Sequence, residues 1–123
     1  MTDGSEYRGL SLWLDTVDDD LSPRPSLDGD AGADVAIVGA GFTGLWTGYA
    51  LLRQAPHLRV LVVERDIAGF GASGRNGGWA SDLFPVSWER VARVGGSPGA
   101  AVALHRAMVE GIDDIEATLA RES

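Results

Sequence analysis

The sequence has no cysteine and no lysine, and each absence excludes a kind of chemistry within its 123 residues. Without cysteine there is no disulfide, no thiol nucleophile and no cysteine-ligated iron–sulfur cluster. Without lysine there is no Schiff-base residue for pyridoxal phosphate and no P-loop lysine. All ten basic residues are therefore arginine, and the two histidines, His57 and His105, show no metal-ligand spacing. We expect both histidines at the surface and no metal site.

Long apolar runs and basic segments are also missing. No stretch reaches the roughly 20 apolar residues of a membrane span. The first ten residues show neither the basic start nor the apolar run of a secretion signal, so we expect a cytoplasmic protein without a membrane partner. Residues 1–34 hold nine acids and two arginines, and this acidic balance argues against nucleic acid as a partner.

A glycine-rich motif follows the acidic segment. Residues 34–38 (DVAIV) are apolar and β-branched, which predicts a fully buried parallel strand. Gly39, Gly41 and Gly44 then form the pattern G-x-G-x-x-G, and a helix is predicted from Phe42 to Gln54. In this pattern the glycines allow a tight turn, the approach of backbone to a pyrophosphate, and close packing of helix on strand. The pattern is typical of a dinucleotide site.

A second strand and an acid complete this unit. Residues 59–63 (RVLVV) predict another buried strand, and Glu64 follows it about 20 residues after Gly44. A carboxylate at this spacing accepts a hydrogen bond from a ribose 2′-hydroxyl and would repel a 2′-phosphate, which argues against NADP. Gly44 and Gly48 lie one helical turn apart and predict a small helix face against the sheet.

The segment from Gly69 to Gly78 (GFGASGRNGG) is a second glycine-rich loop. Its backbone amides can approach a phosphate or the edge of a flavin. The alternative is a flexible linker, but Arg75 and Asn76 are unusual in a linker of the Gly/Ser type. A nicotinamide site does not need this second loop, and its presence favours FAD.

These motifs resemble the N-terminal part of FAD-dependent oxidoreductases of the D-amino-acid oxidase class, in particular the glycine oxidase and gamma-glutamylputrescine oxidoreductase-like enzymes. The resemblance rests on DVAIVGAGFTGL, the strand ending in Glu64, and GASGRNGG, with Leu12-Trp13-Leu14-Asp15 similar to an arm that precedes the first strand. It covers most of the chain and is strongest from Ala33 to Phe84. It implies a Rossmann-like α/β fold that binds FAD, and the missing cysteine excludes a cysteinyl link to the flavin within this chain.

The resemblance also implies a role for each position of the two loops. Residues of the first loop would follow the pyrophosphate turn, and the acid and arginine after the second strand would hold the adenosine ribose. Ala72 and Ser73 would contact the diphosphate, and Arg75 would supply positive charge near it. The next three residues would approach the ribityl chain and isoalloxazine. The positions expected to bind FAD are Gly39, Gly41, Phe42, Thr43, Gly44, Glu64, Arg65, Ala72, Ser73, Arg75, Asn76, Gly77 and Gly78.

The rest of the chain contributes no third buried strand. Trp79 could face a flavin, although a packed aromatic is the favoured interpretation. Ser97 and Pro98 predict the start of a helix of about 25 residues. Apolar residues on one face predict its packing stripe, namely Ala101, Leu104, Met108, Ile112, Ile115 and Leu119.

The predicted organisation is an acidic arm at 1–33 followed by a partial FAD-binding domain at 34–123. This domain would contain the N-terminal βαβ part of a Rossmann-like fold and a C-terminal amphipathic helix. A mononucleotide-binding half needs three parallel strands, and only two are found, so we expect an N-terminal fragment without its substrate domain.

Three functions are compatible with these features. The favoured one is the FAD-binding portion of an oxidoreductase that acts on a C–N bond of a small amine or amino acid. Its substrate site would lie outside this chain, which would be inactive alone, and no residue here has a case as a catalytic acid or base. An NAD-dependent dehydrogenase half would explain the first loop but not GASGRNGG. The third possibility is a non-catalytic remnant or a docking subunit for another chain.

Overall fold

The computed structural model describes residues 4–122, which alternate helix and strand. The elements in chain order are α1 (Leu12–Thr16), β1 (Val35–Val38), α2 (Phe42–Gln54), β2 (Val60–Val63), α3 (Trp88–Val94) and α4 (Pro98–Glu122). Single turns of 3-10 helix lie at Ser5–Tyr7 and Ala72–Gly74. The chain divides into two compact units, the first ending at Gly77 and the second beginning at Gly78.

A β–α–β unit forms the centre of the first unit. β1 and β2 pair in parallel, with Val35 opposite Val60. The helix between them, α2, lies on one face of this sheet, where Gly48 is buried. A Cβ placed on Gly48 would lie 3.6 Å from Cδ1 of Ile37 and 3.8 Å from Cγ2 of Val62. The predicted α/β class, the bounds of α2 and its small packing face are thereby confirmed.

Both strands begin one residue later than predicted. Asp34 and Arg59 stand just before them and bind each other, with Oδ2 of Asp34 accepting from the amide of Arg59 at 2.8 Å and Oδ1 from its Nη2 at 3.1 Å. The prediction of a fully buried first strand is wrong, since Val38 is 88% exposed. The physical reason is that α2 covers one face of the sheet, while alternate side chains of β1 point to the other face.

The N-terminal segment contributes to the core of the first unit. Its buried residues Tyr7 and Leu14 pack with Ile67, which follows β2, and partly buried Leu21 and Phe70 pack against them. We call these five residues the arm cluster. It joins the segment before β1 to the segment after β2, although these lie more than 40 residues apart in the sequence.

The second unit consists of α3 and α4, which pack together. α4 has the predicted start and length, and the hydroxyl of Ser97 accepts from the amide of Ala100 at 3.1 Å, as expected for a helix cap. α3 was not predicted; the hydroxyl of Ser87 accepts from the amide of Arg90 at its start. None of the helices within residues 4–122 has the length and apolar character needed to cross a membrane.

Two side-chain expectations in this unit are wrong, the packing of Leu104 and Leu119 on α4 and the packing of Trp79. Leu104 and Leu119 are 48% and 60% exposed, whereas Thr118 is buried, because the packed stripe of α4 is rotated towards the positions beside them. His105 lies on that stripe and is only partly exposed, with Nε2 3.0 Å from a carboxylate oxygen of Asp82. Trp79 is 91% exposed rather than packed, because it follows the second loop in an irregular segment. His57 is exposed, as predicted.

Candidate functional site

The first glycine loop forms the turn between β1 and α2. Gly39 has φ of 98°, a backbone conformation that side-chain-bearing residues rarely adopt, and its amide donates to the carbonyl of Val63 at 2.8 Å. Gly41 is the residue before the first turn of α2. A Cβ on Gly44 would overlap the carbonyl oxygen of Gly39 and lie 3.2 Å from Cγ2 of Ile37. The turn and the close helix–strand approach predicted from the motif are therefore both present.

The second glycine loop contacts the first at two points. The amide of Gly69 donates to the carbonyl of Ala40 at 2.9 Å, and the amide of Phe42 donates to the hydroxyl of Ser73 at 2.9 Å. Ser73 therefore caps the start of α2 from 31 residues away. A segment with these contacts is not a free linker. The two loops form one continuous backbone surface, which we call the double loop and define as residues 39–44 and 69–77.

Ala72, Arg75 and Asn76 stabilise the second loop from within. Nε of Arg75 donates to the carbonyl of Phe70 at 2.8 Å, and its guanidinium lies 4.6 Å from the centre of that ring. Nδ2 of Asn76 donates to the carbonyl of Ser73 at 2.6 Å and to that of Ala72 at 3.3 Å. These contacts explain why this loop contains Arg and Asn, which a flexible linker would not need.

Glu64 connects the end of β2 to the double loop. Its Oε2 accepts from the amide of Ala40 at 2.8 Å, and its Oε1 accepts from the amides of Arg65 at 2.8 Å and Asp66 at 3.2 Å. These donors, the Ala40 amide above all, hold the pKa of the Glu64 carboxyl below its ordinary value. A carboxylate has about four lone-pair positions, and three amides leave room for one further donor. The Glu64 side chain is exposed, and the three amides fix its orientation.

The other predicted positions lie at the margins of this surface. Phe42 is 58% exposed, and the carbonyl of Thr43 accepts from the hydroxyl of Thr47 at 2.6 Å. Arg65 is exposed and forms an ion pair with Asp66 at 3.0 Å, so its charge is partly neutralised there. Gly78 has φ of 75° and begins the second unit.

The double loop exposes glycine backbone beside the start of a helix. A Cβ on Gly39 or Gly71 would meet no atom of the described residues within 4 Å, so the space beside both glycines is open. The first-turn amides of α2, such as those of Thr43 and Gly44, precede any helical acceptor and point out of the helix start. Open glycine backbone at a helix N-terminus suits a pyrophosphate, and the oriented carboxylate of Glu64 suits a ribose.

Two contributions were not foreseen from the sequence. Ser73 was expected to touch a diphosphate, but its role as a cap for α2 was not predicted. Trp13, in the segment before β1, donates from its indole Nε1 to the carbonyl of Asn76 at 2.8 Å. The only sequence signal for it was the Leu-Trp-Leu-Asp arm, which carried no expected contact.

Comparison with known proteins agrees with this geometry. The model of the FAD dependent oxidoreductase family matches residues 34–123. The chain is 39% identical over 74 residues to the probable oxidoreductase OrdL of Haemophilus influenzae, covering 60% of this chain and 16% of that protein. It is 42% identical over 57 residues to gamma-glutamylputrescine oxidoreductase of Escherichia coli, covering 46% of this chain and 13% of that protein.

A third relative is the probable oxidoreductase OrdL of Rhizobium meliloti, 38% identical over 66 residues, with 54% of this chain and 15% of that protein covered. The matches thus span about one sixth or less of the length of these relatives. No solved structure gave a significant match. The family match covers most of the chain and includes both glycine loops and Glu64. The chain belongs to the family of FAD-dependent oxidoreductases.

Proposed function

We propose that this chain supplies the FAD-binding part of an oxidoreductase that acts on the C–N bond of an amine or amino acid. The observation that carries the proposal is the attachment of the two glycine loops to each other, through Gly69 to Ala40 and Ser73 to Phe42. A nicotinamide site uses the first loop alone, whereas the double loop offers a longer backbone surface suited to a larger dinucleotide.

Each part of the surface has a proposed task. The glycines at 39, 41 and 44 and the start of α2 would bind the pyrophosphate, with Ala72 and Ser73 on its other side. Glu64 would accept the ribose hydroxyl, with Arg65 beside it, and Arg75 would add positive charge. Asn76, Gly77 and Gly78 would approach the ribityl chain and flavin ring. When bound, FAD supplies the capacity to accept a hydride from the carbon of a C–N bond.

The substrate class rests on a relative. The Escherichia coli protein is named for gamma-glutamylputrescine, a conjugated amine. We extend the class of small amines and amino acids to this chain, and place the groups that grip the substrate outside residues 1–123. The cytoplasmic location stays a prediction from the sequence.

FAD binding by the protein made from its complete gene tests this function. The purified protein is expected to be yellow, to show a flavin absorption spectrum, and to reduce the flavin when a suitable amine is added without air. Titration with NAD in place of FAD tests the dehydrogenase alternative. A well-folded, colourless protein that takes up NAD but not added FAD would contradict the proposal.

A charge-matched pair of variants sharpens the test. Glu64→Gln is expected to raise the Kd for FAD about tenfold, because a charge-assisted hydrogen bond is replaced by a weaker neutral one. Glu110→Gln, on the exposed surface of α4, removes the same charge elsewhere and should leave the Kd unchanged. Equal effects of the two substitutions would show that Glu64 has no special place at the cofactor.

A further inference from the structure

The segment before β1 contacts the second glycine loop at a defined atom. The indole Nε1 of Trp13 donates to the backbone carbonyl of Asn76 at 2.8 Å, across 63 positions of sequence. The next residue on α1, Leu14, is 6% exposed and belongs to the arm cluster. Leu14 therefore anchors α1 in the core, while the adjacent Trp13 contacts the second glycine loop.

The position of α1 is fixed from several sides. The hydroxyl of Ser11 accepts from the amide of Leu14 at 3.2 Å and caps the start of the helix. The guanidinium of Arg8 donates to the carbonyls of Leu14 at 3.1 Å, Val17 at 2.6 Å and Asp19 at 2.8 Å. Arginine supplies several donors in a fixed fork, so these bonds set the helix end and the chain leaving it in one arrangement.

The loop side of the contact is equally constrained. Tyr7 meets the ring of Phe70 edge-to-face, with 5.8 Å between ring centres. Arg75 covers the same Phe70 ring, and the side chain of Asn76 binds the carbonyl of Ser73. The peptide carbonyl that Trp13 binds therefore belongs to a loop held by packing on one side and by its own hydrogen bonds on the other.

The geometry of the peptide bond gives this contact a consequence for the neighbouring amide. In a trans peptide the carbonyl and the following N–H point in opposite directions. The described residues contain no cis peptide, so holding the Asn76 carbonyl against Trp13 directs the N–H of Gly77 away from the arm. Gly77 is one of the residues that the proposed function places at the flavin.

We propose that Trp13 is a positioning residue for the flavin: its indole holds the Asn76 carbonyl and thereby sets the direction of the Gly77 amide. The inference rests on the proposed function. The acidic arm then helps to position the cofactor through its contact with the second glycine loop.

A matched pair of tryptophan substitutions tests this role in the protein made from its complete gene. Trp13→Phe keeps an aromatic ring but removes the N–H donor. Trp88→Phe makes the same change on α3, where the ring is similarly exposed, 47% against 44%. Loss of one neutral hydrogen bond predicts a Kd for FAD about fivefold higher in Trp13→Phe and unchanged in Trp88→Phe.

The orientation of the flavin is read separately, at saturating FAD. Trp13→Phe is expected to alter the visible circular dichroism of the bound flavin, because the peptide dipole between Asn76 and Gly77 would change its direction beside the flavin ring. A purely structural role would change the melting temperature but leave this spectrum as in the wild type. Wild-type affinity and an unaltered spectrum in Trp13→Phe would overturn the inference.

Hydrogen exchange on the wild-type protein gives a test that needs no variant. Adding FAD should slow exchange in residues 11–17 as well as in residues 69–77. Protection confined to residues 69–77 would also overturn the inference while leaving the proposed function intact. A wild-type protein that binds no FAD at all would overturn the proposed function and this inference with it.

Discussion

Two glycines one turn apart on α2 provide a sharp test of the site geometry. Gly44 and Gly48 both face the sheet, but their surroundings differ. A Cβ on Gly44 would overlap the carbonyl oxygen of Gly39 and lie 3.2 Å from Cγ2 of Ile37. A Cβ on Gly48 would find only ordinary contacts, the nearest at 3.6 Å. The same substitution, Gly→Ala, should therefore have opposite effects at the two positions.

The expected magnitudes follow from two opposing contributions. Replacing Gly by Ala inside a helix stabilises it by about 0.5–1 kcal/mol at either position. At Gly44 the added methyl also collides with backbone, which cannot rotate away as a side chain does, and overpacking costs about 1–3 kcal/mol. We expect Gly48→Ala to raise the free energy of unfolding by up to about 1 kcal/mol and Gly44→Ala to lower it by about 1–2 kcal/mol.

Denaturation and FAD titration of both variants measure these effects. Gly44→Ala must push α2 away from the Gly39 turn, so it should also weaken FAD binding, whereas Gly48→Ala should bind FAD as the wild type does. The comparison cancels the helix propensity common to both substitutions. If Gly44→Ala proved as stable as Gly48→Ala and bound FAD normally, the close approach of α2 to the Gly39 carbonyl would be refuted.

Three further predictions concern single side chains. Glu64→Gln should lower the free energy of unfolding at about pH 7, because Gln offers one acceptor oxygen where the wild type uses two. Since the folded-state pKa of Glu64 lies below its ordinary value, the stability advantage of the wild type should be complete above that ordinary value and disappear as the pH falls through the folded-state pKa. Urea denaturation of both proteins at a series of pH values measures this difference. Ser73→Ala should cost about 1 kcal/mol by removing the cap on α2, and a variant that melts like the wild type would contradict the cap. His105→Phe should lose about 1 kcal/mol with its hydrogen bond to Asp82, and a double-mutant cycle with Asp82→Asn should show coupling between the two residues.

The β–α–β unit was predictable because its causes are local. The glycine spacing and the apolar strand residues lie within the elements that they determine, and Ser97 caps α4 from the position directly before it, whereas the cap on α2 comes from Ser73, 31 positions away. The bounds of α2 and the start of α4 at Pro98 follow the prediction for this reason. The strand starts were each misplaced by one residue, at Asp34 and Arg59, where the Asp34 carboxylate binds the amide and guanidinium of Arg59 in addition to a backbone hydrogen bond between the two residues.

The errors in the second unit have a common physical origin. Apolar spacing identifies a face of α4 but not the partner that covers it. The packed stripe includes His105, which contacts Trp88 of α3, and buried Thr118, and it leaves Leu104 and Leu119 exposed. α3 itself is seven residues long, too short for its periodicity to stand out from the aromatic residues and Pro85 around it.

The same distinction between local and distant causes applies to the candidate site. The first loop is encoded by adjacent residues, but the second depends on partners far away, such as Phe42 for Ser73 and Trp13 for Asn76. A loop held by distant partners cannot be transplanted with its own sequence alone. Grafting residues 69–78 onto a nicotinamide-binding βαβ unit should therefore fail to create FAD affinity unless the arm is grafted with it. Success of the double graft and failure of the single one would show that FAD binding depends on three segments that contact one another: the arm, the turn after β1 and the loop after β2.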